Sequence, residues 1–127
     1  MKRDMDLVRK ILFEVEKLPH FDKKLPRGVK IHNEIHIDGY TKEEIAYHIA
    51  LLKEADLIDA KHIGTQHNKD FWKPIRLTWE GHEFLDAARD NTRWEKAQVA
   101  MTKAGGFALD VMKQLLIQYL KAELKLP

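Results

Sequence analysis

Apolar residues recur at the spacing of one helical face over residues 5–18, and this pattern predicts a helix that Pro19 ends. Asp4 and Asp6 lie near its amino end, where the helix dipole favours carboxylates. A basic loop follows, and residues 29–38 then alternate between apolar and polar side chains. This alternation predicts a half-buried strand or a short hairpin, with a break at Asn33 and an end at Gly39.

A second helix is predicted over residues 41–55, because Thr41 and Glu44 have the spacing of a capping box. Its apolar stripe consists of Ile45, Ile49 and Leu52. His48 lies beside this stripe, and we expect it to be partly buried and hydrogen-bonded within the fold. Asp56 falls where such a helix usually has a glycine in the left-handed conformation.

Two strands, residues 57–63 and 73–78, are predicted next, joined by the loop GTQHNKDFW. Pro74 cannot donate a ladder hydrogen bond, so it places the start of the second strand at an edge. Thr78 is expected to cap a helix over residues 79–90, in which Trp79 and Gly81 would pack closely against the sheet. Thr92 and Glu95 have the spacing of a further capping box for a short helix that carries Trp94.

Gly105 and Gly106 break the chain before a final helix that ends near Leu124. Its apolar face is wider than a helix with one neighbour requires, which predicts a two-fold symmetric homodimer. The candidate interface residues are Leu109, Met112, Leu116, Tyr119 and Leu120. The alternative is that this helix packs in the groove between the first helix and the Trp94 helix.

Composition narrows the class of protein. The chain has 127 residues, a formal net charge of +2 and no cysteine, which excludes disulfides, zinc–thiolate sites and cysteine nucleophiles. No signal peptide and no apolar run of membrane-spanning length is present, so we expect a cytoplasmic protein without a membrane partner. One domain is expected, with a core over residues 1–90 and a helical extension over residues 91–127.

The order of elements is that of a winged helix, and local sequence supports this interpretation. The segment EEIAYHIALLKEADLIDAK resembles the recognition helix and first wing strand of ArsR-type and MarR-type regulators, and IRLTWEGHEFL resembles the return from the wing in PadR-type and MarR-type proteins. With KRDMDLVRKIL, RLTWEGHEFLDAARD and the Trp94 region, nearly the whole chain resembles an uncharacterised family of small bacterial and prophage proteins, a domain of unknown function. The resemblance implies an α+β winged-helix fold and no particular activity.

Candidate DNA contacts follow from charge. The predicted wing carries more bases than acids, and its proposed phosphate contacts are Lys61, His67, Asn68, Lys69, Lys73 and Arg76. The second helix has two lysines against four acids over residues 41–56, so Lys42 and Tyr47 are weaker groove candidates. Residues 27–38 read as strand where DNA-reading proteins usually have a helix, which weighs against ordinary major-groove reading.

Neither catalysis nor metal binding is predicted. His32 and His36 lie in a strand-like segment, and HNEIH lacks the glutamate placement of the zinc-protease motif. No nucleophile elbow, phosphate-binding glycine loop or dinucleotide fingerprint occurs, so we expect no enzyme and no cofactor. The leading hypothesis is a DNA-associated regulator or accessory protein. The alternative is a protein-interaction module on the same scaffold.

Overall fold

Five helices and a two-stranded antiparallel sheet form the α+β fold of this protein in a computed structural model. The structure describes residues 1–19, 35–63, 71–105 and 108–127. The elements in chain order are α1 Met5–Glu16, α2 Lys42–Glu54, β1 Ile58–Ile63, β2 Phe71–Leu77, α3 Trp79–Ala88, α4 Asn91–Lys103 and α5 Leu109–Glu123. Contacts divide the chain into two compact units, Met1–His82 (unit 1) and Glu83–Pro127 (unit 2).

Helix α1 begins where the sequence predicts it. The Asp4 side chain accepts a hydrogen bond from the Leu7 backbone N–H at 3.2 Å, which satisfies a donor that the first turn leaves without an intrahelical partner. The predicted apolar face is buried except at Leu18, which is partly exposed, and it contributes to the core of unit 1, together with Leu7. Phe13, which lies off that face, is only partly buried, and the Arg9 guanidinium lies over its ring.

Helix α2 confirms both of its predicted ends. The Glu44 N–H donates to the Thr41 hydroxyl and the Thr41 N–H donates to the Glu44 carboxylate, each at 3.1 Å, so the capping box is complete. At the other end Asp56 adopts φ of +59°, and the Leu57 N–H donates back to the Leu52 carbonyl at 3.0 Å. This closing bond fixes the direction in which the chain leaves the helix for β1.

A polar network joins the start of α1 to α2. His48 is 1% exposed; its Nε2 accepts from the Asp4 N–H at 2.8 Å, and its Nδ1 lies 2.7 Å from the Glu44 carbonyl oxygen. The prediction of a satisfied, buried histidine is therefore confirmed. Tyr40 hydrogen-bonds to Asp4 as well, and desolvation by burial, followed by the nearby carboxylates, raises the pKa of the Tyr40 phenol.

The strand predicted over residues 29–38 is wrong where the structure describes it. Residues 35–37 pair with no strand, and the Tyr40 N–H donates to the Ile37 carbonyl at 3.3 Å to close a turn. Gly39 has φ of +88°, a conformation that suits a turn and that few other residues adopt. Ile37 is buried by this turn, so its apolar position reflects a core contact of a loop. The predicted break at Asn33 lies outside the described residues.

The base of the hairpin is closely packed. The Thr78 N–H donates to the Leu57 carbonyl at 3.0 Å, and the Thr78 hydroxyl accepts from the Gly81 N–H at 3.0 Å, which confirms Thr78 as a helix cap. A Cβ at Gly81 would lie 1.9 Å from the Leu57 carbonyl oxygen, so only glycine fits there. The matching prediction for Trp79 is wrong. Its side chain is 75% exposed, because the first turn of α3 points it away from this contact.

Unit 2 pairs α4 with α5. Asp90 caps α4 by accepting from the Arg93 N–H at 2.8 Å, so the capping box predicted at Thr92 and Glu95 is wrong, and the helix starts earlier than that motif indicated. The Lys96 ammonium lies over the Tyr119 ring at 4.4 Å, and an Arg93 guanidinium nitrogen lies 3.7 Å from the Glu123 carboxylate. Because later residues of α4 meet earlier residues of α5, the two helices are antiparallel.

Candidate functional site

The β1–β2 hairpin has two chemically different faces. Ile58 pairs with Leu77 in the strand register, and both side chains are buried. Side chains of neighbouring strand residues point to opposite sides, so the next residues along each strand face away from the core. The charged residues at these positions, which we call the outer face, are Asp59, Lys61, Lys73 and Arg76. The outer face therefore carries three bases and one acid.

Lys61 lies directly opposite Lys73 in the ladder. Side chains in such a pair start about 5 Å apart, and like charges in this arrangement are unfavourable. Lys61 is exposed and Lys73 is partly exposed, so both ammonium groups are within reach of the surface. A cross-strand lysine pair of this kind raises the local positive potential and favours an anion close by.

Arg76 lies next to the lysine pair and already has a carboxylate partner. Asp59 and Arg76 are cross-strand neighbours, and the Asp59 carboxylate accepts from the Arg76 guanidinium at 2.6 Å. A second guanidinium nitrogen reaches the Leu77 carbonyl oxygen at 3.4 Å. The side chains of Arg76 and Asp59 are 54% and 36% exposed, so solvent screens the pair.

The register shifts between Asp59 and Ala60, so that Ala60 pairs with Pro74. The shift leaves Ile75 without a position in the ladder, and its side chain is 46% exposed. A bulge of this kind increases the local twist and re-aims neighbouring side chains. The sequence signal was Pro74, which cannot donate to the ladder and is common at bulges.

Two aromatic rings lie on the face of the hairpin opposite the outer face, near the end of the ladder away from Ile58 and Leu77. His62 is the cross-strand partner of Trp72, and their rings meet edge to face with centroids 4.9 Å apart. His62 is exposed and Trp72 is partly exposed. The three remaining wing candidates, His67, Asn68 and Lys69, lie outside the described residues.

Helix α2 presents the two groove candidates on its solvent side. Lys42 is exposed at its first turn and Tyr47 is 37% exposed one turn later. Glu43 and Glu54 share the exposed surface of this helix, so positive charge does not dominate it. The structure brings the hairpin candidates Lys61, Lys73 and Arg76 together, whereas α2 adds little positive potential.

The candidate dimer residues of α5 differ in accessibility. Met112 and Leu116 are buried within the chain, whereas Leu109, Tyr119 and Leu120 are partly exposed. The outward positions of this helix are mainly polar: Asp110, Gln114, Gln118 and Lys121. Of the apolar face read from the sequence, Met112 and Leu116 face the interior, whereas Val111 is 46% exposed.

Within residues 1–19, 35–63, 71–105 and 108–127, no three histidine, aspartate or glutamate side chains converge as metal ligands would. In the same part of the chain, no helix combines the length and apolar character that crossing a bilayer requires.

Comparison with known proteins places the chain among uncharacterised relatives. The family described as "Hypothetical protein (DUF2513)" matches residues 2–108. An uncharacterised protein of Haemophilus influenzae is 32% identical over 117 residues, which cover 91% of this chain and 92% of that protein. No solved structure matches the chain. These similarities carry no activity, ligand or partner.

Proposed function

We propose that this chain, which belongs to the DUF2513 family, is a non-catalytic DNA-associated regulator or accessory protein that binds through its hairpin. The observation that carries the proposal is the outer face, where Lys61, Lys73 and Arg76 project from one short ribbon beside a single acid. Cations on a rigid ribbon suit contact with successive phosphate groups, which sets affinity without reading bases.

A winged-helix interpretation supports the same function. In that arrangement α2 would be the recognition helix, β1 and β2 the wing, and α3 the helix that follows it. The local likeness to ArsR-, MarR- and PadR-type regulators favours this interpretation. Because the exposed surface of α2 includes Glu43 and Glu54, we assign binding mainly to the wing and give Lys42 and Tyr47 a minor part.

Fluorescence anisotropy with a mixed-sequence duplex tests the proposal at 50 and 200 mM salt. Three phosphate contacts predict an affinity that falls roughly 40-fold over this interval, because bound counterions are released. The double variant Lys61→Ala and Lys73→Ala should bind more weakly, with a salt slope smaller by about 2. A matched variant with the same charge change in unit 2, Lys121→Ala and Lys125→Ala, should bind like the wild type. No binding at 50 mM salt would refute the proposal.

A protein-interaction module is the second candidate function, and one observation favours it. Trp79 is 75% exposed and Ile75 is 46% exposed. Large apolar side chains at such exposure are typical of interaction surfaces when they cluster. This function predicts no salt-dependent duplex binding. It also predicts that Trp79→Ala abolishes capture of a protein from cell extract while the unfolding free energy stays the same.

Self-association is a further part of the proposal. The partly exposed Leu109, Tyr119 and Leu120 are the residues through which a second copy would pack on α5. Light scattering at several protein concentrations tests this point. A dimer whose mass falls to that of the monomer in Leu109→Lys supports it, and a monomeric wild type at high concentration rejects it.

A further inference from the structure

We propose that Asp59 regulates the affinity of the hairpin by holding Arg76 in place of a phosphate group. The inference rests on the proposed function, because it concerns the same outer face. It assigns Asp59 the role of an internal competitor, whose carboxylate must give up Arg76 before that arginine can contact a phosphodiester. Arg76 therefore exchanges one oxyanion for another when nucleic acid binds.

The geometry of the pair supports an exchange. The Asp59 carboxylate lies 2.6 Å from the Arg76 guanidinium, which is the distance of a charge-assisted hydrogen bond. A guanidinium presents a planar fork that fits carboxylate and phosphate oxygens equally well. Arg76 is 54% exposed, so a phosphate oxygen can approach it from solvent without any change in the packing of unit 1.

The energetics make the exchange accessible. An ion pair in which both partners contact solvent contributes little to stability, so breaking it costs little. A phosphodiester on the outer face would meet Lys61 and Lys73 next to Arg76, so three cations would lie close to it. The carboxylate also repels any phosphate that approaches the lysine pair. Both effects mean that Asp59 weakens binding while it leaves the hairpin folded.

The strand register places Asp59 on the same face as the three cations. The register shift falls directly after Asp59, so Asp59 and Arg76 are the last regular outer-face pair before the ladder becomes irregular. Lys61 and Lys73 form the next outer-face pair beyond the shift. The four side chains therefore follow one another on a single face, with the acid at the end close to the base of the hairpin.

Duplex binding of Asp59→Asn tests the inference by fluorescence anisotropy at 50 mM salt. Asparagine keeps the size of aspartate and removes its charge, so binding should tighten about 2- to 5-fold, as expected for release of an exposed ion pair. The salt slope should steepen by up to about 1. Asp59→Ser serves as a second variant, and urea unfolding verifies that each protein is folded.

Asp86→Asn is the matched control. Asp86 contacts Arg89 at 3.0 Å on the surface of unit 2, so its loss changes the net charge by the same amount and releases a different arginine. We expect no change in duplex affinity for this variant. An equal gain in Asp86→Asn would mean that net charge alone matters, which overturns the assignment to Asp59.

The Arg76→Ala background separates exchange from simple repulsion. If Arg76 changes partner, Asp59→Asn should give most of its gain only when Arg76 is present. A full gain in Arg76→Ala would overturn the exchange. Wild-type binding with unchanged affinity in both Asp59 variants overturns this inference and leaves the proposed function intact. Absence of wild-type binding at 50 mM salt overturns both.

Discussion

Arg76 of unit 1 and Arg93 of unit 2 both face a carboxylate, but their surroundings differ. Arg76 is half exposed and meets Asp59 at 2.6 Å. Arg93 is 8% exposed and lies 3.7 Å from Glu123, and its Nε and Nη1 have no hydrogen-bond partner among the described residues. Arg76 therefore has a close carboxylate partner and keeps its contact with solvent, whereas Arg93 has lost its hydration and has only a distant carboxylate partner.

The difference in burial predicts that Arg76 affects binding, whereas Arg93 lowers the stability of the fold. A charge on the surface keeps most of its solvation, so changing its partner alters binding far more than stability. A buried charge with incomplete hydrogen bonds lowers stability, because desolvation exceeds the attraction that remains. We therefore expect changes on the outer face of the hairpin to affect nucleic-acid binding, and changes in the interior of either unit to affect folding.

Gly81→Ala should give the largest effect, since it acts at the buried base of the same hairpin. The new Cβ would lie 1.9 Å from the Leu57 backbone oxygen, so backbone must move. We expect the unfolding free energy to fall by about 3 kcal/mol or more, measured by urea denaturation. Gly39→Ala is the control: its Cβ meets nothing within 4 Å, and its positive φ alone should cost about 1–2 kcal/mol. Equal losses for the two variants would show that the close approach at Gly81 does not govern packing.

Arg93→Met tests the comparison of the two arginines directly. Methionine keeps the apolar stem and removes a buried charge, so the unfolding free energy should rise by about 1 kcal/mol. Arg76→Met, the same change on the surface, should alter it by less than about 0.5 kcal/mol and weaken duplex binding. Chemical denaturation of both variants gives the answer. A clear loss of stability in Arg93→Met would mean that the buried guanidinium is well satisfied, which contradicts the comparison.

Asp56 and Lys125 allow a comparison of two helix ends with a smaller expected effect. Each residue follows a helix and itself adopts the left-handed conformation, with φ of +59° and +55°. Asp56 lies at the negative end of the α2 dipole, where an acid is unfavourable, whereas Lys125 at the end of α5 is favourable. Asp56→Gly should raise the unfolding free energy by about 1 kcal/mol, since glycine relieves both strain and charge. Lys125→Gly should change it less, because relief of strain is offset by loss of the favourable charge. A larger gain for Lys125→Gly would contradict this account of the two helix ends.

Tyr40→Phe should have a small effect at neutral pH, about 0.5–1 kcal/mol from loss of the hydrogen bond to Asp4, and a distinct effect at alkaline pH. The fold raises the pKa of Tyr40 from 10.0, first through desolvation and then through Asp4, so folding favours the neutral phenol. A raised folded pKa contributes stability that is fully present below the unfolded pKa and is lost as pH rises through the folded one. Urea unfolding between pH 8 and 11 should therefore show a steeper loss of stability for the wild type than for Tyr40→Phe. Parallel curves would remove Tyr40 as the cause.

Local signals predicted much of the fold from the sequence. The Thr41–Glu44 capping box and the left-handed Asp56 each depend on a few neighbouring residues, so the local sequence indicates them. Close packing at Gly81 was predicted as well, but its contact with Leu57 joins distant parts of the chain and the sequence did not name that partner. The turn at Ile37 was misread as strand, because alternating apolar residues fit both a strand and a loop that buries one side chain. Asp90 was not predicted as the cap of α4, since Thr92 and Glu95 match a fuller motif that begins two residues later.

The candidate site was only partly predictable. The hairpin lysines and Arg76 stood out as bases, but their common face depends on the strand register, which the sequence does not specify. The ion pair between Asp59 and Arg76 depends on the same register, and it was not predicted. The exposure of Trp79 was missed as well, because an aromatic residue at the start of a helix usually packs inward.

An NMR titration of the isotopically labelled protein with a mixed-sequence duplex at 50 mM salt shows directly whether nucleic acid binds to the hairpin. We predict that backbone amide signals of the hairpin, at positions 59–63, 71–73, 75 and 76, shift most and that those of α4 and α5 stay in place. A high-salt titration should reverse the shifts, as expected for contacts with phosphate groups. Shifts concentrated in unit 2, or a spectrum unchanged by the duplex, would contradict the assignment of nucleic-acid binding to the outer face.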